Sequence, residues 1–165
     1  MSKKALAKWS VWMGVFTFIY CFIYVLISPL YKQGLMWMTF VALPIYLNGG
    51  AEKKEYPNYV TSMLCGILWG LLMVWLLGLL SSMYEPLAMG LVCGGVTIIC
   101  CLVHFILTPN LWCNKIPMMF GAISMTFSQG GKNIPFIIIT LLGGLTLGMI
   151  CGLGPGLIEK YEKKK

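Results

Sequence analysis

The sequence predicts an all-α integral membrane protein with six transmembrane segments, arranged as two inverted three-helix repeats. Three observations lead to this prediction: the composition, the number of apolar segments, and the same ordered motifs in both halves. Of 165 residues, 59% are hydrophobic and 10% are charged, and the mean hydropathy is +0.84. A soluble domain carries about 25% charged residues. We therefore expect a single membrane domain over residues 1–165.

Six apolar segments alternate with short stretches that contain glycine, proline or lysine. The segments are Trp9–Pro29, Leu35–Leu47, Pro57–Leu80, Leu87–Thr108, Ile116–Ser128 and Ile134–Ile158. The first three form repeat one, at about 9–80, and the last three form repeat two, at about 87–158. Tails 1–8 and 159–165 flank them. The first apolar run is too long for the core of a signal peptide, so we interpret it as an uncleaved span.

Each half carries an aromatic residue, an amide and two glycines, then a proline, then a Gly-x-x-x-Gly pair. The matched stretches are Tyr46–Gly50, Pro57, Gly66 and Gly70 in the first half, and Phe127–Gly131, Pro135, Gly144 and Gly148 in the second. Because three spans per half are an odd number, the second copy would lie upside down relative to the first. Inverted repeats of this kind are typical of transporters, which bind solute at the repeat interface.

Segments two and five are predicted to be short or broken. Each has about 13 residues before its amide and glycines, whereas roughly 20 are needed to cross a bilayer. Short or glycine- and proline-interrupted segments at matching places in two halves point to a transport site. The alternative is that both are complete, tilted helices and that the two glycines only stop them. The sequence leaves both interpretations open.

Seven residues on or beside these two segments are candidates for lining a solute path. They are Thr39, Tyr46, Asn48, Ser124, Thr126, Phe127 and Gln129. The amides Asn48 and Gln129 either offer hydrogen bonds to a solute at a pore mouth or terminate helices at the aqueous boundary. Hydroxyls on a broken segment can replace a solute's hydration, although in many spans they bond to their own helix. We expect the two segments to meet near the bilayer centre.

Two further features are candidates for other roles. The pairs Gly66 with Gly70 and Gly144 with Gly148 would let another helix approach closely, either at the repeat interface or in a neighbouring subunit. His104 is the only ionisable side chain inside a segment, which makes it a possible pH sensor. Its position near the end of segment four favours a solvent-exposed side chain with a structural role.

Other site classes are disfavoured. No carboxylate lies inside a segment, which argues against a proton-driven antiporter and favours a passive route. The seven cysteines form no Cys-x-x-Cys pair, and one histidine is present, so we expect no metal and no cofactor. No enzyme motif is present, and we predict that the protein is not an enzyme. The lysines sit at segment ends, which indicates topology signals and attraction to anionic lipid rather than nucleic-acid binding.

Two stretches carry a family resemblance. The aromatic run Trp37–Phe40 leads to Tyr46–Gly50, and the stretch Leu64–Gly70 follows. They resemble the bacterial inner-membrane proteins of domain-of-unknown-function family 1097. The resemblance implies a short, multi-spanning inner-membrane protein over almost the whole chain. It brings no established catalytic residues.

The leading functional hypothesis is a small inner-membrane channel or facilitator for a small neutral or weakly acidic solute. The alternative is a non-transporting membrane scaffold or accessory subunit. Expected partners are the lipid bilayer and a small-molecule solute, with no nucleic acid. We also expect a homo-oligomer, because six short-looped spans enclose little volume and glycine-faced helices offer contacts to a second subunit.

Both termini are predicted to be cytoplasmic. With the N-terminus inside, ten lysines fall on the cytoplasmic side and only Lys32 and Lys132 fall outside, a strong positive-inside bias. Reporter fusions at Lys165 should be active only with reporters that function in the cytoplasm. Activity of a reporter that requires export would contradict this topology.

Overall fold

The structure, a computed structural model, describes residues 2–162 and is all-helical. Over this range it contains seven α-helices and no β-strand. The α-helices are α1 (Lys3–Leu26), α2 (Ser28–Tyr31), α3 (Thr39–Asn48), α4 (Tyr56–Leu79), α5 (Glu85–Cys101), α6 (Ile116–Ser128) and α7 (Ile134–Glu162). Short 3₁₀ turns, Met36–Met38 and Lys53–Glu55, precede α3 and α4, and a π-helical segment, Leu102–Leu107, continues α5.

Four helical stretches are long and apolar enough to cross a membrane, judged by length and composition over the described residues. They are Lys3–Leu26, Lys53–Leu79, Glu85–Leu107 and Ile134–Tyr161. Two apolar helices are shorter, Met36–Asn48 and Ile116–Ser128. These six stretches lie close to the six predicted segments, and the predicted shortness of segments two and five is confirmed.

The prediction of six helices is wrong by one, because the first segment divides. Helix α1 ends at Leu26, Ile27 leaves helical geometry with φ −82° and ψ 76°, and the four-residue α2 follows. Pro29 explains the break. In a continuous helix its ring would clash with the carbonyl of Val25 and leave that carbonyl without a donor. In the first turn of a new helix a proline is well tolerated.

Helices α3 and α6 end in the same way. A glycine with positive φ follows the last turn of each, Gly50 at 91° and Gly130 at 57°. The N–H of the next residue then donates to a carbonyl five residues back, which is the Schellman arrangement. These bonds are Ala51 N to Tyr46 O at 3.1 Å and Gly131 N to Thr126 O at 3.0 Å. The two-glycine motif therefore terminates both helices, and the short segments are unbroken rather than interrupted.

The hydrogen bonds correct one detail of the motif comparison. Ala51 and Gly131, whose N–H groups form these two bonds, are 80 positions apart in the sequence. The sequence motif instead pairs Asn48 with Gln129, which are 81 positions apart. Gln129 instead occupies the position of Gly49, and Asn48 corresponds to Ser128. The reason is that this capping position needs no positive φ, since Gly49 has φ −80° and Gln129 φ −92°. Either residue type can therefore fill it.

The chain forms two compact units. The first contains the residues up to Tyr56 together with those from Ile139 onward, and the second contains Pro57–Ile138. In the first unit α3 and α7 carry fully buried side chains that include Thr39, Ala42 and Leu145. In the second, α4, α5 and α6 share a core that includes Met73 and Met119. Each unit thus combines helices from both halves of the sequence.

Two tryptophans of α1 bind backbone carbonyls of α7 in the first unit. Trp9 Nε1 donates to Cys151 O at 2.9 Å, and Trp12 Nε1 donates to Ile150 O at 3.0 Å. Helix α7 contains Pro155, which has no N–H to give to the carbonyl four residues earlier, that of Cys151. The indole of Trp9 supplies the missing donor. In hydrocarbon such a carbonyl must find a partner.

A double-mutant cycle between Trp9 and Pro155 tests this interpretation. Trp9→Phe should lower the free energy of unfolding in detergent micelles by about 1 kcal/mol, a usual value for an interhelical hydrogen bond in membranes. In the Pro155→Ala background the restored N–H of residue 155 should serve Cys151 O, so the same substitution should cost much less. Trp75→Phe, at a side chain 59% exposed, is the control. An equal cost of Trp9→Phe in both backgrounds would show that the carbonyl does not depend on the indole.

Candidate functional site

The Gly-x-x-x-Gly pair of α7 faces the short helix α3 in the first unit. A Cβ placed on Gly144 would lie 2.6 Å from Thr39 O and 2.8 Å from Ala42 Cβ. A Cβ on Gly148 would lie 3.1 Å from Leu43 O and 3.3 Å from Tyr46 Cβ. Both glycines therefore let α3 approach at backbone distance.

The pair on α4 makes the same contact with the short helix α6 in the second unit. A Cβ on Gly70 would lie 2.8 Å from Thr126 Cβ and 3.0 Å from Ile123 O, and one on Gly66 would collide with Met119 O. Of the two roles predicted for these glycines, the structure thus places contacts within one subunit. We call α4 and α7, which carry the Gly-x-x-x-Gly pairs, the glycine helices. In each unit the glycine helix comes from one half of the sequence and packs against the short helix from the other half.

A network of hydroxyls joins α1, α3 and α7 within the first unit. The hydroxyls of Thr39 and Tyr20 are 2.8 Å apart, as are those of Thr140 and Tyr24. Thr39 Oγ1 also donates to Thr140 O at 3.5 Å. Thr39 and Thr140 are fully buried, so these bonds satisfy groups that would be costly to leave unpaired in an apolar interior.

Tyr46 and Thr126 pack at corresponding positions against α7 and α4. Their hydroxyl groups differ in hydrogen bonding. Tyr46 is fully buried, and its OH donates to Glu52 O at 3.0 Å. Thr126 is equally buried, but its Oγ1 is a buried side-chain oxygen with no hydrogen-bond partner in the described part of the chain. An unpaired hydroxyl at such a place costs roughly 1–3 kcal/mol.

The other candidates for a solute path lie in less enclosed places. Asn48 is exposed at the last position of α3, and Gln129 is half-buried just after α6. Ser124 is exposed and donates to Phe120 O at 2.9 Å, while Phe127 packs partly buried against the core of the second unit. The first unit thus holds Thr39, Tyr46 and Asn48, and the second holds Ser124, Thr126, Phe127 and Gln129.

His104 is buried, so the expectation that its side chain is solvent-exposed is wrong. Its side chain is 6% exposed and lies on the π-helical segment. Trp69 Nε1 donates to His104 Nε2 at 3.1 Å, and Cys113 Sγ lies 3.7 Å from Nδ1. Since Nε2 accepts the indole proton, a neutral His104 carries its own proton on Nδ1. The sequence placed this residue near a helix end, but it carried no signal that an indole would cover it.

A second polar cluster, not predicted from the sequence, fastens the loop before α6 to α4. Asn58 Nδ2 donates to Asn114 Oδ1 at 2.9 Å, and the backbone N–H of Lys115 donates to Ser62 Oγ at 3.0 Å. The available signal was the presence of single polar residues just inside the start of α4. Among the described residues no three His, Cys, Asp or Glu side chains are grouped to hold a metal ion, and the cysteines are free thiols.

Comparison with known proteins identifies the family. A family model described as "Protein of unknown function (DUF1097)" matches residues 10–156. The chain belongs to the DUF1097 family. Membership of this family, expected from the stretches Trp37–Gly50 and Ser62–Gly70, is thereby confirmed. No curated protein and no solved structure matches the chain.

Alanine substitutions at the glycines test the close packing in this DUF1097 protein. Gly144→Ala should lower the free energy of unfolding by about 1–3 kcal/mol, because its Cβ meets the backbone of Thr39, which cannot rotate away. Gly14→Ala on α1 is the matched control, since a Cβ there meets nothing within 4 Å. It should leave stability unchanged or raise it by about 0.5–1 kcal/mol, the usual preference of a helix interior for alanine over glycine. Chemical denaturation in micelles measures both, and equal effects would contradict the packing described.

Proposed function

We propose that this protein is a passive membrane channel or facilitator for a small neutral or weakly acidic solute, built from two inverted three-helix repeats. The supporting observation is the agreement between its two halves. The ends of α3 and α6 share one hydrogen-bond pattern at a separation of 80 residues. Their glycine contacts, at Gly144 and Gly66, involve residues at the same separation, Ala42 and Ala122. Internal repetition is a feature of many transporter folds.

The second support is the chemistry of the buried polar groups. The structure describes no acidic side chain as buried, and its buried polar side chains are Thr39, Ser62, His104, Thr126 and Thr140. Hydroxyls suit hydrogen bonding to an uncharged solute better than ion pairing. Thr126 Oγ1, which has no partner among the described residues, is the group that we propose to contact solute or the water that accompanies it.

The proposal includes a setting in the inner membrane with both termini cytoplasmic, which rests on the lysine distribution. It also includes a homo-oligomer. Helix α5 carries Gly90 and Gly94 with open space beside both, and exposed Leu91 and Ile98 lie on the same helix. Small residues four apart favour helix association in membranes.

A second candidate function is a non-transporting scaffold or accessory subunit. One observation favours it: most hydroxyls that were expected to serve a solute already have protein partners. Thr39 bonds to Tyr20, Tyr46 to Glu52 and Ser124 to Phe120. In this view they hold helices together, and the apolar surface of α1 would be available to other membrane proteins.

Flux measurements distinguish the two functions. Purified protein in liposomes should be screened by swelling or flux assays with urea, short carboxylates, ammonia, glycerol and guanidine. We expect permeation of at least one solute above empty liposomes. Thr126→Val should then reduce that flux several-fold while the thermal midpoint stays constant or rises, because an unpaired buried hydroxyl is removed without changing shape. Asn48→Leu and Gln129→Leu should also reduce it.

Ser124→Ala is the control, since this hydroxyl is exposed and bonded to its own helix; its flux should equal that of the wild type. Absence of permeation for every solute with correctly folded protein would support the scaffold. Flux that is unchanged in Thr126→Val would remove Thr126 from the solute path.

A further inference from the structure

The seam between α1 and α7 in the first unit contains an apolar cleft that no packing contact fills. Its central part has a volume of about 260 Å³ and is lined by Phe16, Ile19, Ile23, Gly143, Leu147 and Ile150, among others. The side chain of Tyr20 packs against Gly143 at the floor, while Ile19 and Ile23 are 42% and 50% exposed along one edge. The cleft is therefore a groove that is open along one edge beside residues 16–23 of α1.

A second cleft lies between the start of α1 and the end of α7. It has a volume of about 250 Å³ and is lined by Lys8, Trp12, Leu157, Ile158 and Tyr161. The Lys8 Nζ atom lies 6.0 Å from the centroid of the Tyr161 ring. Trp12 forms part of this wall and is fixed by its hydrogen bond to Ile150 O, so the wall is held in shape by the backbone of α7.

Charge at this end is predominantly positive. Lys3, Lys4 and Lys8 lie on the first turns of α1, and Lys160 lies near the end of α7. Against these four lysines, the sequence of α7 places two acids near its end, Glu159 and Glu162. The opposite end of α1 has no basic residue in its last turn. A ligand that lies along the seam would thus meet cationic groups at one end and hydrocarbon at the other.

The length of the seam matches half a membrane. From Lys8 to Ile23 a helix rises about 22 Å, at about 1.5 Å per residue. Half of a bilayer with its headgroups measures about 20–22 Å. A lipid headgroup at Lys8 would therefore place the end of its acyl chain at the level of the central cleft.

We propose that the α1–α7 seam is a binding site for one anionic phospholipid of the leaflet that faces the chain termini. Lys8 contacts the phosphate, and Trp12 and Tyr161 flank the headgroup, as aromatic side chains do at membrane interfaces. One acyl chain occupies the groove between Phe16 and Ile150. The net positive charge at this end selects an anionic over a zwitterionic headgroup. The site does not depend on whether the protein conducts a solute.

Lipid titration of delipidated protein, read by native mass spectrometry, tests the proposal. The probes are phosphatidylglycerol and phosphatidylcholine with identical acyl chains. The wild type should bind a first phosphatidylglycerol at least about tenfold more tightly than a first phosphatidylcholine. Lys8→Gln should bring the two affinities within about twofold of each other. Ile19→Trp, which fills the groove, should weaken both lipids without changing their ratio.

Two controls separate this site from general electrostatic attraction. Lys32→Gln removes one lysine outside the seam, and Leu68→Trp enlarges a residue of α4 that is 66% exposed; both should bind as the wild type does. Glycerol phosphate, which has the headgroup charge but no chain, should not compete at concentrations where the lipid saturates. Equal affinity for both lipids in the wild type, equal losses in Lys8→Gln and Lys32→Gln, or equal losses in Ile19→Trp and Leu68→Trp would each overturn the proposal.

Discussion

The rest of the structure depends on the backbone contact between a glycine helix and a short helix. In a bilayer the hydrophobic effect does not drive helices together, so close packing and buried hydrogen bonds must do so. Gly144 brings α7 onto the backbone of Thr39, and Gly70 brings α4 onto that of Ile123. Because neither glycine carries a side chain, the short helices lie deep against long ones. Their side chains, Tyr46 and Thr126 among them, are buried for this reason.

Once the helices are this close, their polar groups must be paired within the protein. The ends of α3 and α6 use Schellman bonds, which pair the carbonyls of Tyr46 and Thr126. The proline of α7 leaves the carbonyl of Cys151 without its usual donor, and Trp9 supplies one from α1. Thr39 and Thr140 pair with the tyrosines of α1. The side chains of α1 that form hydrogen bonds with polar groups of α7 also hold α1 against α7. Hydrogen bonding and helix packing in the first unit therefore depend on the same contacts.

Three features stand out against this close packing and hydrogen bonding. Thr126 has no partner in the described chain, although its counterpart Tyr46 has one. His104 is buried on a π-helical segment with an indole donating to it, and such segments often mark functional places. The seam between α1 and α7 contains an open apolar cleft. The first of these supports a solute path and the last supports a lipid site, and they lie in different units.

The sequence by itself determined the all-helical class, the number and approximate positions of the apolar stretches, and the shortness of segments two and five. It could do so because length and hydropathy are local properties that a bilayer selects directly. It also predicted close packing at Gly66, Gly70, Gly144 and Gly148, since a small-residue spacing is visible in the chain.

Only the tertiary structure decided which helix each pair meets. The sequence alternatives for the two-glycine motifs were equally open until the hydrogen bonds of Gly50 and Gly130 showed helix ends. Likewise, the partners of Trp9, Thr39 and His104 lie 142, 101 and 35 residues away. Pairings at such separations depend on how the helices pack, and a pattern along one helix carries no information about them.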